Sequence, residues 1–116
     1  MRALCTGLAA LWVSTAPVAL ARPVPEVAFA ITLKDHRFTP TTLAIPAGAK
    51  VRITLTNQDA ATEEFDSHDL KVEQLVTPNG HVSFTIGPLA PGSYSFMGEF
   101  HPETAQGRVT AVARQS

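Results

Sequence analysis

The sequence is almost free of cysteine: the only one in 116 residues is Cys5. Cys5 lies in an N-terminal segment with the features of a secretory signal, namely Arg2, an apolar run up to Val13 and an A-x-A ending at Ala21. We predict that residues 1–21 are a signal peptide, cleaved after Ala21, which leaves a 95-residue domain over 22–116 without a thiol. A disulfide framework, an iron–sulfur cluster, a cysteine nucleophile and a thiolate-bound metal are thereby excluded.

Long apolar runs and an excess of one charge are also missing. The run that ends at Val13 is too short to span a bilayer, and Ser14, Thr15 and Pro17 follow it, so a signal peptide is preferred to a membrane anchor. Removal of the signal leaves eight basic and ten acidic residues, a net charge of −2 without a basic cluster. This argues against nucleic acid and against anionic membrane surfaces as partners. We also expect no stable membrane insertion after the signal is cleaved.

Recognisable catalytic motifs are absent as well. There is no glycine-rich phosphate loop, no H-E-x-x-H and no serine or cysteine in a nucleophile motif. We therefore predict no catalytic residues and disfavour a hydrolase. A binding or electron-relay role is preferred to an enzymatic one, and an Fe(II)-oxidising role within a complex stays open.

The pattern that is present is the period of a β-strand. In 22–116, apolar and polar residues alternate in short runs, such as Val51, Ile53 and Leu55 with polar residues between them. Turn sequences at 46–48, 78–80 and 91–92 combine proline with glycine. An all-β sandwich or small barrel is indicated. We predict about seven strands, at roughly 27–34, 42–45, 50–57, 68–76, 81–87, 93–98 and 108–114.

Two segments, 58–67 and 98–107, do not follow the strand pattern and concentrate polar side chains that bind metals. Met97, Glu99 and His101 are spaced two apart, so they would share a side of an extended segment. Thioether, carboxylate and imidazole together suit copper, and the last two suit iron. On spacing alone, an exposed histidine beside a solvated glutamate, with methionine in the core, is the favoured alternative.

The adjacent pair Glu63 and Glu64 allows two interpretations. Neighbouring carboxylates repel one another unless a cation or solvent separates them, so they could be metal ligands or part of a surface acidic patch, and taken alone the patch is favoured. His68 is interpreted as a surface residue, and His36 and His81 are assigned no role.

The segment from Tyr94 to Gly107 resembles the ligand loop of the cupredoxins, Y-x-F-x-C-x-x-H followed by methionine and glycine. Gly98 stands in place of the copper cysteine, His101 matches the histidine, and the axial methionine is replaced by Ala105 or Gln106. The segment 45–57, which ends in asparagine, resembles the preceding cupredoxin strand pair, and Glu63 stands near the position of the other histidine. Without the cysteine, no blue copper centre is expected.

The sequences at 63–67 and 96–107 resemble most a cysteine-free subgroup: the cupredoxin domain of EfeO-type iron-uptake proteins, and small periplasmic proteins that accompany a P19-type protein and a ferrous-iron permease. The resemblance implies a cupredoxin-like Greek-key β-sandwich with copper, or iron, as its cofactor. The implied metal ligands are Glu63, Glu64, Met97, Glu99 and His101. We expect Glu63, Glu99 and His101 to converge.

The same resemblance implies a periplasmic accessory or electron-relay component of ferrous-iron uptake, with a P19-like protein or an inner-membrane iron permease as partner. Two alternatives remain open. One is a periplasmic copper carrier or buffer, and the other is a metal-free β-sandwich that serves as an interaction module.

Overall fold

The computed structural model of the protein describes residues 7–17 and 26–114. Residues 7–17 contain neither helix nor strand, and Leu8, Leu11 and Trp12 are exposed there. In the described part of the chain, no helix has the length and apolarity that crossing a membrane requires. The predicted cleavage point after Ala21 lies outside the described residues.

Two β-sheets make up the fold of residues 26–114. The four-stranded sheet has the order β2-β1-β4-β7, and the five-stranded sheet has the order β3-β9-β8-β5-β6. Strands β1 and β4 pair in parallel, as do β3 and β9, and the other pairs are antiparallel. This confirms the predicted all-β fold. The strands are β1 (Glu26–Lys34), β2 (Arg37–Thr39), β3 (Thr42–Pro46), β4 (Lys50–Asn57), β5 (Glu63–Ser67), β6 (Val72–Val76), β7 (His81–Ile86), β8 (Gly92–Gly98) and β9 (Gln106–Val112).

The described residues form nine strands where the sequence predicted about seven. The additional strands are the short β2 and β5, and β5 lies in the segment that was predicted to be irregular. Strand β5 alternates as a strand should, but two of its inward side chains, Glu63 and Ser67, are polar, so its hydrophobic pattern is weak. The predicted strand 68–76 begins only at Val72, because the chain turns before it with Lys71 at φ 57°.

The core between the two sheets contains three aromatic rings that pack against one another, from β2, β5 and β8. Phe38 packs edge-on against Phe65 and Phe96, with ring centroids 6.0 and 5.2 Å apart, and the last two stack at 4.8 Å. All three are buried. Burial of each such ring stabilises the fold by about 1.5–3 kcal/mol, so the strands that carry the loops have a rigid base.

Three connections meet at one end of the sandwich, which we call the site end: β1–β2 at 35–36, β4–β5 at 58–62 and β8–β9 at 99–105. The register explains this. Parallel pairing places Leu33 of β1 beside Asn57 of β4, so both strands end together. Antiparallel pairing places Gly98, the last residue of β8, beside Phe65 near the start of β5.

Candidate metal centre

A cluster of three metal-binding side chains lies at the site end. His36, Glu63 and His101 each offer a nitrogen or oxygen donor, and these atoms lie within 4.8 Å of one another. Each residue comes from a different part of the chain: the β1–β2 turn, the start of β5 and the β8–β9 loop. We call these three residues the inner cluster.

Glu63 is the buried member of the inner cluster, with its side chain 1 % exposed. Its Oε1 accepts hydrogen bonds from the backbone N–H groups of Phe100 (2.9 Å) and Glu64 (3.1 Å). Its Oε2 lies 2.6 Å from Nδ1 of His101. Both carboxylate oxygens therefore have partners, as a buried charge requires, and the carboxylate is fixed in one orientation.

The position of the carboxylate explains why residue 98 is glycine. A Cβ atom built on Gly98 would lie 2.8 Å from Cδ of Glu63 and 2.6 Å from Cβ of Ala105. These are clashes with side chains that are themselves buried. Glu63 thus occupies the space that a side chain at position 98 would need, such as the cysteine that the cupredoxin ligand loop has there.

The substitution Gly98→Ala is expected to destabilise the protein, because Glu63 and Ala105 must both shift to admit a methyl group. Overpacking of this kind costs about 1–3 kcal/mol. The free energy of unfolding, measured by urea denaturation, should fall by this amount in Gly98→Ala but not in Ser93→Ala, an exposed position of the same strand. Equal stability of the two variants would show that the space beside Glu63 is not closed.

His101 is held by a compact turn and by Glu63. Its backbone N–H donates to the carbonyl of Gly98 (3.1 Å), and its carbonyl accepts from Ala105 N–H (2.9 Å). The side chain is 31 % exposed, so the imidazole is anchored at Nδ1 and open to the surface elsewhere.

His36 completes the cluster by stacking on His101, with ring centroids 3.5 Å apart and an interplanar angle of 14°. The two-residue turn between β1 and β2 consists of Asp35 (φ 51°) and His36 (φ 56°), both in the left-handed region. Sequence reasoning missed His36. The only local signal is its residue type, since aspartate and histidine tolerate this conformation better than most residues.

Asp59, in the β4–β5 connection, supports this turn. Its Oδ1 accepts from Asp35 N–H (2.7 Å) and its Oδ2 from His36 N–H (2.9 Å). Partial burial favours the protonated carboxyl, but these two N–H donors and the nearby imidazoles outweigh it and hold the pKa of Asp59 below its ordinary 3.8. The structure therefore predicts that this carboxylate is ionised wherever the protein is folded near neutral pH.

The depressed pKa predicts an acid-sensitive contribution to stability. A carboxyl with a lowered folded-state pKa stabilises the fold above its unfolded-state pKa, and this stabilisation disappears as pH falls through the folded-state value. The free energy of unfolding should decrease as the pH falls below about 5, through the unfolded-state pKa and then the lower folded-state pKa of Asp59. Asp59→Asn should show a smaller decrease. Urea denaturation across this pH range measures the difference, and parallel curves for both proteins would contradict it.

The five predicted metal ligands do not converge on one point. Glu63 and His101 are in the inner cluster, whereas the side chain of Glu64 lies on the opposite, outer face of β5 because neighbours on a strand alternate. It forms a second group with Asp66 and Glu73, whose carboxylate oxygens lie within 4.8 Å of one another. We call these three residues the outer acidic cluster.

Met97 and Glu99 also belong to the outer face. Met97 pairs with Asp66 across the β8–β5 ladder and is 40 % exposed. A hydrogen bond to Asp66 and the charges of the outer carboxylates raise the pKa of Glu99. The expected convergence of Glu99 with Glu63 and His101 is therefore not found. The physical reason is that β8 ends at Gly98, so the two-residue spacing does not continue to His101.

The inner cluster provides two imidazoles and one carboxylate. Such a set, with further positions open, is typical of Fe(II) centres, and imidazole with carboxylate also binds Cu(II) strongly. The donor set therefore fits copper and iron, the two ions that the sequence resemblance implies. The nitrogen lone pairs of two stacked imidazoles lie in nearly parallel planes, so one ring must turn before both can bind the same ion. His36 is the ring more free to turn, because its side chain is 41 % exposed whereas His101 is held by Glu63.

Two mixed sheets with polar loops gathered at one end define a β-sandwich of the cupredoxin type. A family model described as a cupredoxin-like domain matches residues 3–111. The chain belongs to this cupredoxin-like family.

The chain is also similar to one curated protein and to several solved structures. Uncharacterized protein RP394 of Rickettsia prowazekii (strain Madrid E) is 44 % identical over 77 residues, which cover 66 % of this chain and 62 % of that protein. Auracyanin A, a blue copper protein from Chloroflexus aurantiacus, superposes with a TM-score of 0.66 at 18 % identity, covering 76 % of this chain and 100 % of its own.

A third similar structure is the metal-binding domain of the Streptococcus pneumoniae D39 Cu(I)-exporting P-type ATPase CopA. Its TM-score is 0.66 at 13 % identity, with coverage of 78 % of this chain and 99 % of that domain. At these identities the solved structures establish the shared fold.

Proposed function

We propose that this protein binds a single copper or iron ion through His36, Glu63 and His101, and that it serves in the periplasm as an accessory or electron-relay component of ferrous-iron uptake. The observation that carries the metal assignment is the buried Glu63 carboxylate bound to Nδ1 of His101, with the imidazole of His36 stacked on the same ring. Three donors of the right chemistry are thus brought together from distant parts of the chain.

The three residues have separable roles in this proposal. Glu63 supplies a negative charge that offsets the charge of a cation in a largely water-free position. In the metal-free protein that carboxylate orients His101 through Nδ1, and an ion bound by both residues would take the place of the proton between them. His36, whose side chain is 41 % exposed, would supply the second nitrogen. A bound copper or iron ion would add one-electron exchange, and a single ion passes one electron at a time, which suits a relay.

The proposed ligand set differs from the set that the sequence resemblance implied: it includes His36 and leaves out Glu64, Met97 and Glu99. The latter three lie on the outer face of the five-stranded sheet, away from the inner cluster. The methionine thioether, a soft ligand that would favour Cu(I), lies on the outer face and not at the inner cluster. Without a thiolate, the Cu(II) form should be pale rather than intensely blue.

The role in iron uptake, with a P19-like protein or an inner-membrane iron permease as partner, is proposed from the sequence resemblance and from a donor set that suits Fe(II). A periplasmic copper carrier is the second candidate. It is favoured by the copper-binding relatives that share the fold and by the affinity order, which places Cu(II) above Fe(II) for such ligands.

Uptake measurements test the function. In a strain that lacks this gene, accumulation of Fe(II) from iron-poor medium should fall and should be restored by the wild-type protein. A double variant, His36→Ala with His101→Ala, should fail to restore it, while His81→Ala, which alters an exposed histidine of β7, should succeed. Normal iron uptake combined with altered copper tolerance would favour the copper carrier. Full restoration by the double variant would favour the metal-free interaction module.

A further inference from the structure

We propose that Asp59 is a positioning residue of the metal centre, which holds the β1–β2 turn where His36 can reach Glu63 and His101. This inference rests on the proposed metal-binding function. Asp59 is not assigned as a ligand: its carboxylate binds the backbone of the turn that carries the ligand.

The backbone of the turn shows why such support is needed. A two-residue hairpin turn with positive φ at both positions normally contains asparagine and glycine, because side chains are strained there. Here both residues, Asp35 and His36, carry full side chains at φ 51° and 56°. The Asp59 carboxylate accepts one hydrogen bond from each of their N–H groups, at 2.7 and 2.9 Å, and so stabilises the strained conformation.

Asp59 is itself anchored to the buried end of β4. Its N–H donates to Oδ1 of Asn57 (2.9 Å), a fully buried side chain. The amide nitrogen of Asn57 donates in turn to the carbonyls of Ala61 (2.8 Å) and Thr77 (3.2 Å). A continuous series of hydrogen bonds thus joins the core to the turn, and the position of His36 is set by β4 as well as by its own hairpin.

The contact with the imidazole itself is looser than the contacts with the backbone. Nδ1 of His36 lies 3.5 Å from Oδ2 of Asp59, which is too long for a strong hydrogen bond. The ring can therefore turn toward an ion while the backbone stays fixed.

The test compares Asp59 with a carboxylate that has a similar structural role elsewhere. Asp69 accepts hydrogen bonds from the backbone N–H and the hydroxyl of Ser95 (3.0 and 3.1 Å) and is outside the inner cluster. Cu(II) affinity is measured on the purified secreted protein by titration against a competing chelator. Asp59→Ala should lower the affinity about 10- to 100-fold, the range found when outer partners of metal-binding histidines are removed, whereas Asp69→Ala should leave it unchanged.

Three further readouts separate positioning from general stability. Nuclear magnetic resonance of the metal-free protein should show loss of the His36–His101 ring contact in Asp59→Ala. The isosteric Asp59→Asn, included in case the alanine variant does not fold, should lose part of the contact and part of the affinity. In a His36→Ala background, Asp59→Ala should cause no additional loss of affinity.

Two results would overturn the inference while leaving metal binding by the wild type intact: an unchanged ring contact in both Asp59 variants, or an equal loss of affinity in the presence and absence of His36. Failure of the proposed function would be seen differently, as absence of specific binding by the wild-type protein, and the positioning role would fall with it.

Discussion

Substitution of either His36 or His101 by alanine is expected to lower Cu(II) affinity by more than about 100-fold, beyond the range for residues that only support a ligand. Each change removes one of the two nitrogen donors of the inner cluster. His68→Ala and His81→Ala are matched controls, because both histidines are exposed and neither belongs to that cluster. Their affinities should equal that of the wild type.

Calorimetric titration against a competing chelator measures these affinities. The result for His36 is the more informative, because its membership of the site follows from the three-dimensional structure alone. Similar small losses for all four histidines would mean that copper binds adventitiously. Loss with His101 alone would mean that the stacked imidazole of His36 does not serve as a ligand.

Glu63→Ala is expected to have the largest combined effect, on stability as well as on binding. It would leave the N–H groups of Glu64 and Phe100, together with Nδ1 of His101, without their present partner in a partly buried region. Each buried polar group that loses its partner costs about 1–3 kcal/mol, so we expect a total of about 3 kcal/mol and complete loss of specific Cu(II) binding.

Two further substitutions separate the charge of Glu63 from its packing. Glu63→Gln retains the shape and one oxygen acceptor, so it should lose less stability than the alanine variant but most of the metal affinity, because the negative charge is gone. Glu64→Ala on the outer face should change stability by less than about 0.5 kcal/mol. Urea denaturation and metal titration on the same samples give both quantities. Unchanged Cu(II) affinity in Glu63→Gln would exclude the carboxylate from the centre.

The fold was largely predictable because its signals are local. Alternating strands such as β4 and proline–glycine turns identify an all-β chain without any knowledge of long-range contacts. Strand β5 was missed for a physical reason: its inward positions include Glu63, which is buried for its hydrogen bonds rather than for its hydrophobicity. A pattern of hydrophobicity cannot identify such a strand.

The site was only half predictable, because its assembly depends on pairing between distant segments. Glu63 and His101 lie in segments that resemble ligand loops. His36 comes to them through the parallel pairing of β1 with β4 and through Asp59, and neither contact has a local sequence signal. Glu99 was expected beside His101 because the two-residue spacing of an extended segment was continued past residue 98. The strand β8 ends at Gly98, as the sequence predicted, and the chain beyond it is a turn, so that spacing does not apply there.

The crystal structure of the Cu(II)-loaded protein, with an anomalous difference map recorded at the copper edge, tests the central claim most directly. We predict one dominant peak at the site end, within about 2.0–2.2 Å of an imidazole nitrogen of His36, an imidazole nitrogen of His101 and an oxygen of Glu63. A dominant peak at the outer acidic cluster of Glu64, Asp66 and Glu73, with the inner cluster still holding the stacked rings, would contradict the account.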